Sequence, residues 1–66
     1  MPNKMTITDE LLLIKEKHNG ILYPAHVVEY ARNPKTALHN RFEWDDDVAA
    51  EKYRLWQARQ IISLEL

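Results

Sequence analysis

From Asp45 to Leu66 the chain runs without a glycine or a proline, the residues that most readily break a helix, and this single stretch limits what the rest can build. It reads as one long helix, opened by Asp45-Asp46-Asp47 and continuing through Val48 to Leu66. The aspartates offer an N-cap oxygen and place negative charge at the positive end of the helix dipole. Trp44 just ahead of them is expected to fold back as a hydrophobic staple, onto Ala49 if Asp45 is the cap. At ~100° per residue the apolar positions fall on two sides of this helix. Ala49, Ala50, Tyr53, Trp56, Ile61 and Leu64, with Gln57 and Gln60 among them, make a broad arc suited to a core face. Val48, Leu55, Ile62 and Leu66 make a narrower stripe roughly opposite, flanked by Lys52 and Arg59 on one side and Glu51 on the other. A surface helix normally has one apolar stripe. Two stripes call for two neighbours, which points toward binding rather than catalysis.

Sixty-six residues make one domain, residues 1–66, at a size where a single core supplies only ~3–5 kcal/mol of net stability. Such a chain gains from self-association. It has no cysteine, so neither a disulfide framework nor a thiolate metal site is available. Its longest apolar run, Leu11-Leu12-Leu13-Ile14, falls far short of the ~20 residues of a membrane span and lacks the form of a signal peptide. The expectation is a soluble, cytoplasmic protein of the host cell with no membrane contact. A net charge of −1 argues against a strong sequence-independent hold on nucleic acid. A local basic face is still compatible with it.

Met1 to Met5 carries no structural signal and is expected to be a frayed arm. Thr6 and Asp9 then form a T-x-x-D capping box, with Asp in place of the usual Glu, so a helix should begin there. Ile7, Leu11, Ile14 and His18 share one stripe, and Asn19-Gly20 ends it. Asn-Gly is also a strong hairpin turn, but Leu11 to Ile14 does not alternate and Pro24 stops the second arm, so the helix is preferred. Pro24 suits the first position of a second helix, Pro24 to Arg32, with Leu22 stapled onto Val27 and with Val27, Val28 and Ala31 inward. Asn33-Pro34 stops it. Thr36 is expected to cap a short third helix, Ala37 to Phe42, whose Leu38 and Phe42 share a face. Phe42 and Trp44 should close one end of the core. The expected fold is all-α, three short helices packed on one long C-terminal helix.

The residues Gly20-x-Leu22-x-Pro24-x-x-Val27-Val28-x-x-Ala31-Arg32-x-Pro34, then Leu38-His39-x-x-Phe42-Glu43-Trp44-Asp45-Asp46, then Ala49-Ala50-x-x-Tyr53-Arg54-x-x-Gln57-Ala58-Arg59 resemble a group of small proteins encoded by bacteriophages and prophages. The likeness covers most of the chain from Leu11 onward, and Phe-Glu-Trp-Asp-Asp is its most specific part. It implies a phage or prophage origin and little about mechanism.

Candidate sites for chemistry are few. Ser63 is the only serine, and one glycine cannot build a phosphate-cradling loop or a nucleophile elbow. His26-x-x-Glu29 is a helix-face pair, but without HExxH or cysteine the histidines read as capping, surface and packing residues. No catalytic residue, cofactor or metal site is expected. A helix-turn-helix register centred on Gly20 fails, since it sets Lys15, Glu16, His26 and Glu29 where small or apolar residues are required. A variant using the third and fourth helices remains, with Arg41, Lys52, Arg54 and Arg59 as candidate phosphate contacts. No single-strand stacking platform is expected, because Tyr53 and Trp56 lie on the presumed core arc. The stripe Val48, Leu55, Ile62 and Leu66 is the candidate partner-binding surface. Either the first helix covers it within one molecule, or it meets a second copy or another protein. The sequence thus favours a non-enzymatic phage accessory or regulatory protein that binds a host or phage protein as a homodimer. A DNA-binding regulator is the alternative.

Overall fold

The capping box forms as its residues dictate. Thr6 Oγ1 accepts the Asp9 N–H at 3.1 Å and the Asp9 carboxylate accepts the Thr6 N–H at 3.1 Å, which opens α1, Ile7–Lys17. These elements come from a computed structural model that describes residues 5–47 and 50–66; most of the expected N-terminal arm lies outside them. At the far end of α1, Asn19 takes the left-handed conformation at φ 59 and Gly20 follows at φ 83, while the Gly20 N–H satisfies the Lys15 carbonyl at 2.9 Å. Asparagine and glycine are the residues that adopt this conformation at least cost. The turn delivers the chain to Pro24, the first residue of α2, Pro24–Ala31. No strand occurs among the described residues, so the hairpin alternative falls.

Helix α2 is the centre of the molecule, touching α1, the following 3-10 turn and, most extensively, α3. Its Val27, Val28 and Ala31 are fully buried, as their spacing requires, and Leu22 lies half-buried against the same cluster. Arg32 caps the helix rather than extending it. Asn33 then accepts the Lys35 N–H at 2.9 Å, and the Thr36 hydroxyl donates to the Asn33 carbonyl at 2.7 Å, closing a polar turn around Pro34.

The expected third helix, Ala37 to Phe42, contracts to a 3-10 turn, Leu38–Arg41, and Thr36 does not cap it. The cap comes from α1. Glu10 is 4% exposed, and its two carboxylate oxygens accept the N–H groups of Ala37 and Leu38, each at 2.9 Å. A buried carboxylate that takes two backbone donors is satisfied in a way an isolated one would not be. Leu38 and Phe42 still share the inward side, and they close the core with Leu11, Ile14, Ala58 and Ile61.

The largest departure concerns the C-terminal helix. The expected start near Asp45 is not observed: α3 is Glu51–Glu65, with Ala50 as N-cap. At 15 residues it is the longest element, but only four residues longer than the 11 of α1. The aspartates form a turn instead, in which Asp45 accepts the Asp47 N–H at 2.9 Å and Asp46 binds Arg54. Trp44 packs on Phe42 and His39 and donates its indole N–H to the His39 carbonyl at 2.7 Å; the Ala49 end of the expected staple lies outside the described residues.

The faces of α3 also differ from expectation. The residues turned inward are Arg54, Ala58 and Ile61, with Glu65 half-buried in line with them. Among the described residues of the anticipated core arc only Ile61 is buried, whereas Ala50, Tyr53, Trp56, Gln60 and Leu64 are exposed; Ala49 lies outside the described residues. By helical geometry the inward face lies about a quarter turn from each expected stripe. Ala58 supplies the reason in packing, since its small side chain lets α3 approach the valines and alanine of α2. Arg54 supplies the reason in electrostatics.

Candidate functional site

Arg54 is a buried cation each of whose three nitrogens donates a hydrogen bond. Its guanidinium donates to Asp46 Oδ1 at 2.7 Å, to Glu51 Oε1 at 3.2 Å and to the Glu43 carbonyl at 3.1 Å, and it lies 5.5 Å from the Trp44 ring. The Asp46 hydrogen bond, then the one to Glu51, holds its pKa above the ordinary arginine value against the opposing effect of burial. Arg32 works alongside it. It joins Glu29 of α2 at 3.2 Å and Glu51 of α3 at 3.0 Å and sits 5.6 Å from the same indole. Within the acidic run Glu43 to Asp47, Asp46 by its carboxylate and Glu43 by its carbonyl are thus partners of Arg54, and these bonds tie the rotation of α3 to the turn before it.

That rotation decides which surface is free. Tyr53 and Trp56 are about half exposed, at 46% and 50%, and Leu64 is 75% exposed. The two aromatic rings stack on each other, with centroids 5.7 Å apart and planes 15° from parallel. With Gln60 between Trp56 and Leu64 they make one row at spacings of three, four and four, the period of a helix face. On the Trp56 side the row is bordered by Lys52 and Arg59, both exposed, and neither pairs with a carboxylate among the described residues. On the other side lies a cavity of about 410 Å³ between Tyr53, Gln57 and the segment from Asn40 to Glu43. Large apolar side chains gathered on one exposed face, rather than scattered singly, mark an interaction surface.

The residues singled out in the sequence fare unequally. Leu55 and Ile62 of the candidate partner-binding stripe are half-buried against the chain's own core, Leu66 is 54% exposed, and Val48 lies outside the described residues. Among the candidate phosphate contacts Arg54 is buried and engaged, and Arg41 pairs with Glu65 at 3.8 Å. Only Lys52 and Arg59 stand free in water beside the row.

The histidines occupy one further place of interest. His18, at the end of α1, and His26, in the first turn of α2, stack with ring centroids 3.6 Å apart beside Ile14, Glu29 and Tyr30, which line a cavity of about 270 Å³. Imidazole lone pairs lie in the ring plane, so two rings only 21° from parallel aim theirs side by side instead of at a common point. No group of three metal-binding side chains occurs among the described residues, and no described helix is long and apolar enough to cross a membrane.

Compared with protein-family models, with curated proteins and with solved structures, the chain finds no match. The functional reading therefore rests on its own geometry.

Sequence reasoning missed this site by placing Tyr53 and Trp56 inside. A signal was present: Arg54, Ala58 and Ile61, with Glu65, also lie on one arc, and the acidic residues Glu43 to Asp47 and Glu51 come shortly before Arg54 in sequence. Hydrophobicity alone gave that arc no weight.

Proposed function

We propose that this chain is a non-enzymatic accessory or regulatory protein of phage or prophage origin, working in the host cytoplasm by protein–protein association through the outward face of α3. The observation that carries the reading is the exposed row of Tyr53, Trp56 and Leu64, three large apolar side chains that the fold turns to water. Tryptophan and tyrosine surrounded by adaptable polar groups, here Gln60, Lys52 and Arg59, have the composition of an interface centre. The contact surface is thus the flank of α3 opposite to Leu55 and Ile62, which serve the chain's own core.

Immobilised protein and its Trp56→Glu variant, passed over the soluble fraction of host cells that produce the native chain, test this reading. The native chain should retain a protein, itself or another, that the variant loses at unchanged circular dichroism. Equal retention by both, or by neither, overturns it. Duplex DNA binding measured by fluorescence anisotropy at low and moderate salt tests the DNA alternative, since a phosphate-driven complex must weaken steeply as salt rises.

A further inference from the structure

The charges of α3 are sorted as sharply as its apolar groups. From Lys52 to Leu64 the chain carries no aspartate or glutamate. The two carboxylates of the helix stand at its ends and both are engaged, Glu51 with Arg32 and Arg54, and Glu65 with Arg41 and the Thr8 hydroxyl. Of the three cations between them Arg54 is turned inward, which leaves Lys52 and Arg59 exposed beside Trp56. They are seven residues apart, so they fall nearly on one line of the helix, ~10.5 Å from each other along its axis. The whole chain has a net charge of −1, so with these two cations on one face everything else sums to −3.

We propose that the occupant of this face is an acidic amphipathic helix of another protein, whose apolar stripe covers Trp56 and Leu64 and whose carboxylates, on the border of that stripe, meet Lys52 and Arg59. The inference rests on the reading of α3 as the association surface and names the chemistry of its partner. The row from Tyr53 to Leu64 is ~17 Å long, about three turns, and apolar side chains spaced by three, four and seven on a facing helix follow it. Carboxylates two turns apart on the flank of that helix reproduce the spacing of Lys52 and Arg59. Arg59 can hold one of them through two parallel N–H donors, and Lys52 holds the other as a point charge.

Charge separates this occupant from the others. Pairing the face with the same face of a second copy brings cation against cation, because no carboxylate stands between Lys52 and Leu64 to answer Lys52 or Arg59. A nucleic acid offers phosphates to the two cations, but it offers nothing to Leu64, which is 75% exposed, and along its length it meets a chain whose remaining charge is negative. The same negative remainder turns an acidic peptide away from every other face, so Lys52 and Arg59 steer the partner as well as hold it.

A displayed library of random peptides of about 16 residues, enough to span the row with room at both ends, is selected on the immobilised native protein and counter-selected on its Trp56→Glu variant. Sequences that depend on Trp56 should be enriched in aspartate and glutamate beside apolar residues at helical spacing. A selected peptide, labelled and titrated by fluorescence anisotropy, should bind Lys52→Glu/Arg59→Glu at least about fivefold more weakly at unchanged circular dichroism, with Lys52→Gln/Arg59→Gln between. Its affinity for the native chain should fall as salt rises from roughly 50 to 500 mM. Trp56-dependent sequences that are neutral or basic, or an affinity indifferent to the double substitutions, overturn the acidic partner and leave the reading of the face standing. The absence of any Trp56-dependent sequence overturns both. A native dimer in sedimentation equilibrium that Trp56→Glu dissociates assigns the face to a second copy, and Trp56-dependent binding of a random single-stranded oligonucleotide tighter than that of the selected peptides assigns it to nucleic acid; either result overturns the proposal.

Discussion

Helices α2 and α3 solve the same problem of choosing an inward face by different means. In α2 the apolar residues Val27, Val28 and Ala31 lie on one arc, and burying that arc is sufficient to orient the helix. In α3 apolar residues surround the axis, so burial alone is nearly indifferent to rotation, and the choice falls to Arg54 and its partners Asp46, Glu51 and the Glu43 carbonyl. A helix oriented by oil hides its oil, whereas one oriented by a cation can leave tyrosine, tryptophan and leucine in water. The surface proposed for association is thus a by-product of a polar fastening.

The largest effect should come from removing that fastening. Arg54→Ala strips Asp46 and the half-buried Glu43 carbonyl of their donor, leaves Glu51 with Arg32 alone and opens a void beneath α3; the variant is expected to be largely unfolded at room temperature by far-UV circular dichroism. A folded Arg54→Ala protein with native exposure of Trp56 would show that packing orients α3 after all. Next is Glu10→Ala, which asks whether polar fastening is peculiar to α3. It leaves the Ala37 and Leu38 N–H groups without an acceptor and should cost ~2–4 kcal/mol, read as a fall in the urea midpoint at unchanged slope. A smaller loss, ~2 kcal/mol, is expected for Val28→Ala in α2, the sum of lost burial and the cavity left behind. A cost above that of Glu10→Ala would reverse the comparison.

The smallest effect is one of pH. Burial, and then the negative charge of Glu10, raise the Tyr30 pKa above 10.0, so the folded chain holds this proton more tightly than the unfolded one. The stability this contributes is intact below pH 10 and is lost as pH rises through the folded value. Urea unfolding above pH 10 should show a decline that Tyr30→Phe removes. No difference between the two proteins would place Tyr30 in an ordinary solvent environment.

The same contrast explains what could be read in the sequence. The T-x-x-D box, Asn19-Gly20, Pro24 and Asn33-Pro34 act within a few residues of themselves, so α1 and α2 emerge with their boundaries nearly correct. Glu10 reaches 27 and 28 residues along the chain to cap the 3-10 turn, and Arg54 reaches back 8 and 11 residues to Asp46 and Glu43. Such pairings have no period and cannot be found by counting apolar residues. The all-α class was therefore legible, but the rotation of α3 was not. With the rotation went the distinction between Leu55 and Ile62, which serve the core, and Tyr53, Trp56 and Leu64, which face outward.

The placement of the two indoles has an optical consequence. Trp44 sits among His39, Phe42 and two guanidinium groups, whereas Trp56 stands half in water on the far side of the arginine fastening. Their emission should differ in wavelength and in access to a dissolved quencher, so a single spectrum carries one signal from the interior and another from the proposed contact. Replacing either with phenylalanine leaves the other as a dye-free reporter, one for unfolding and one for docking.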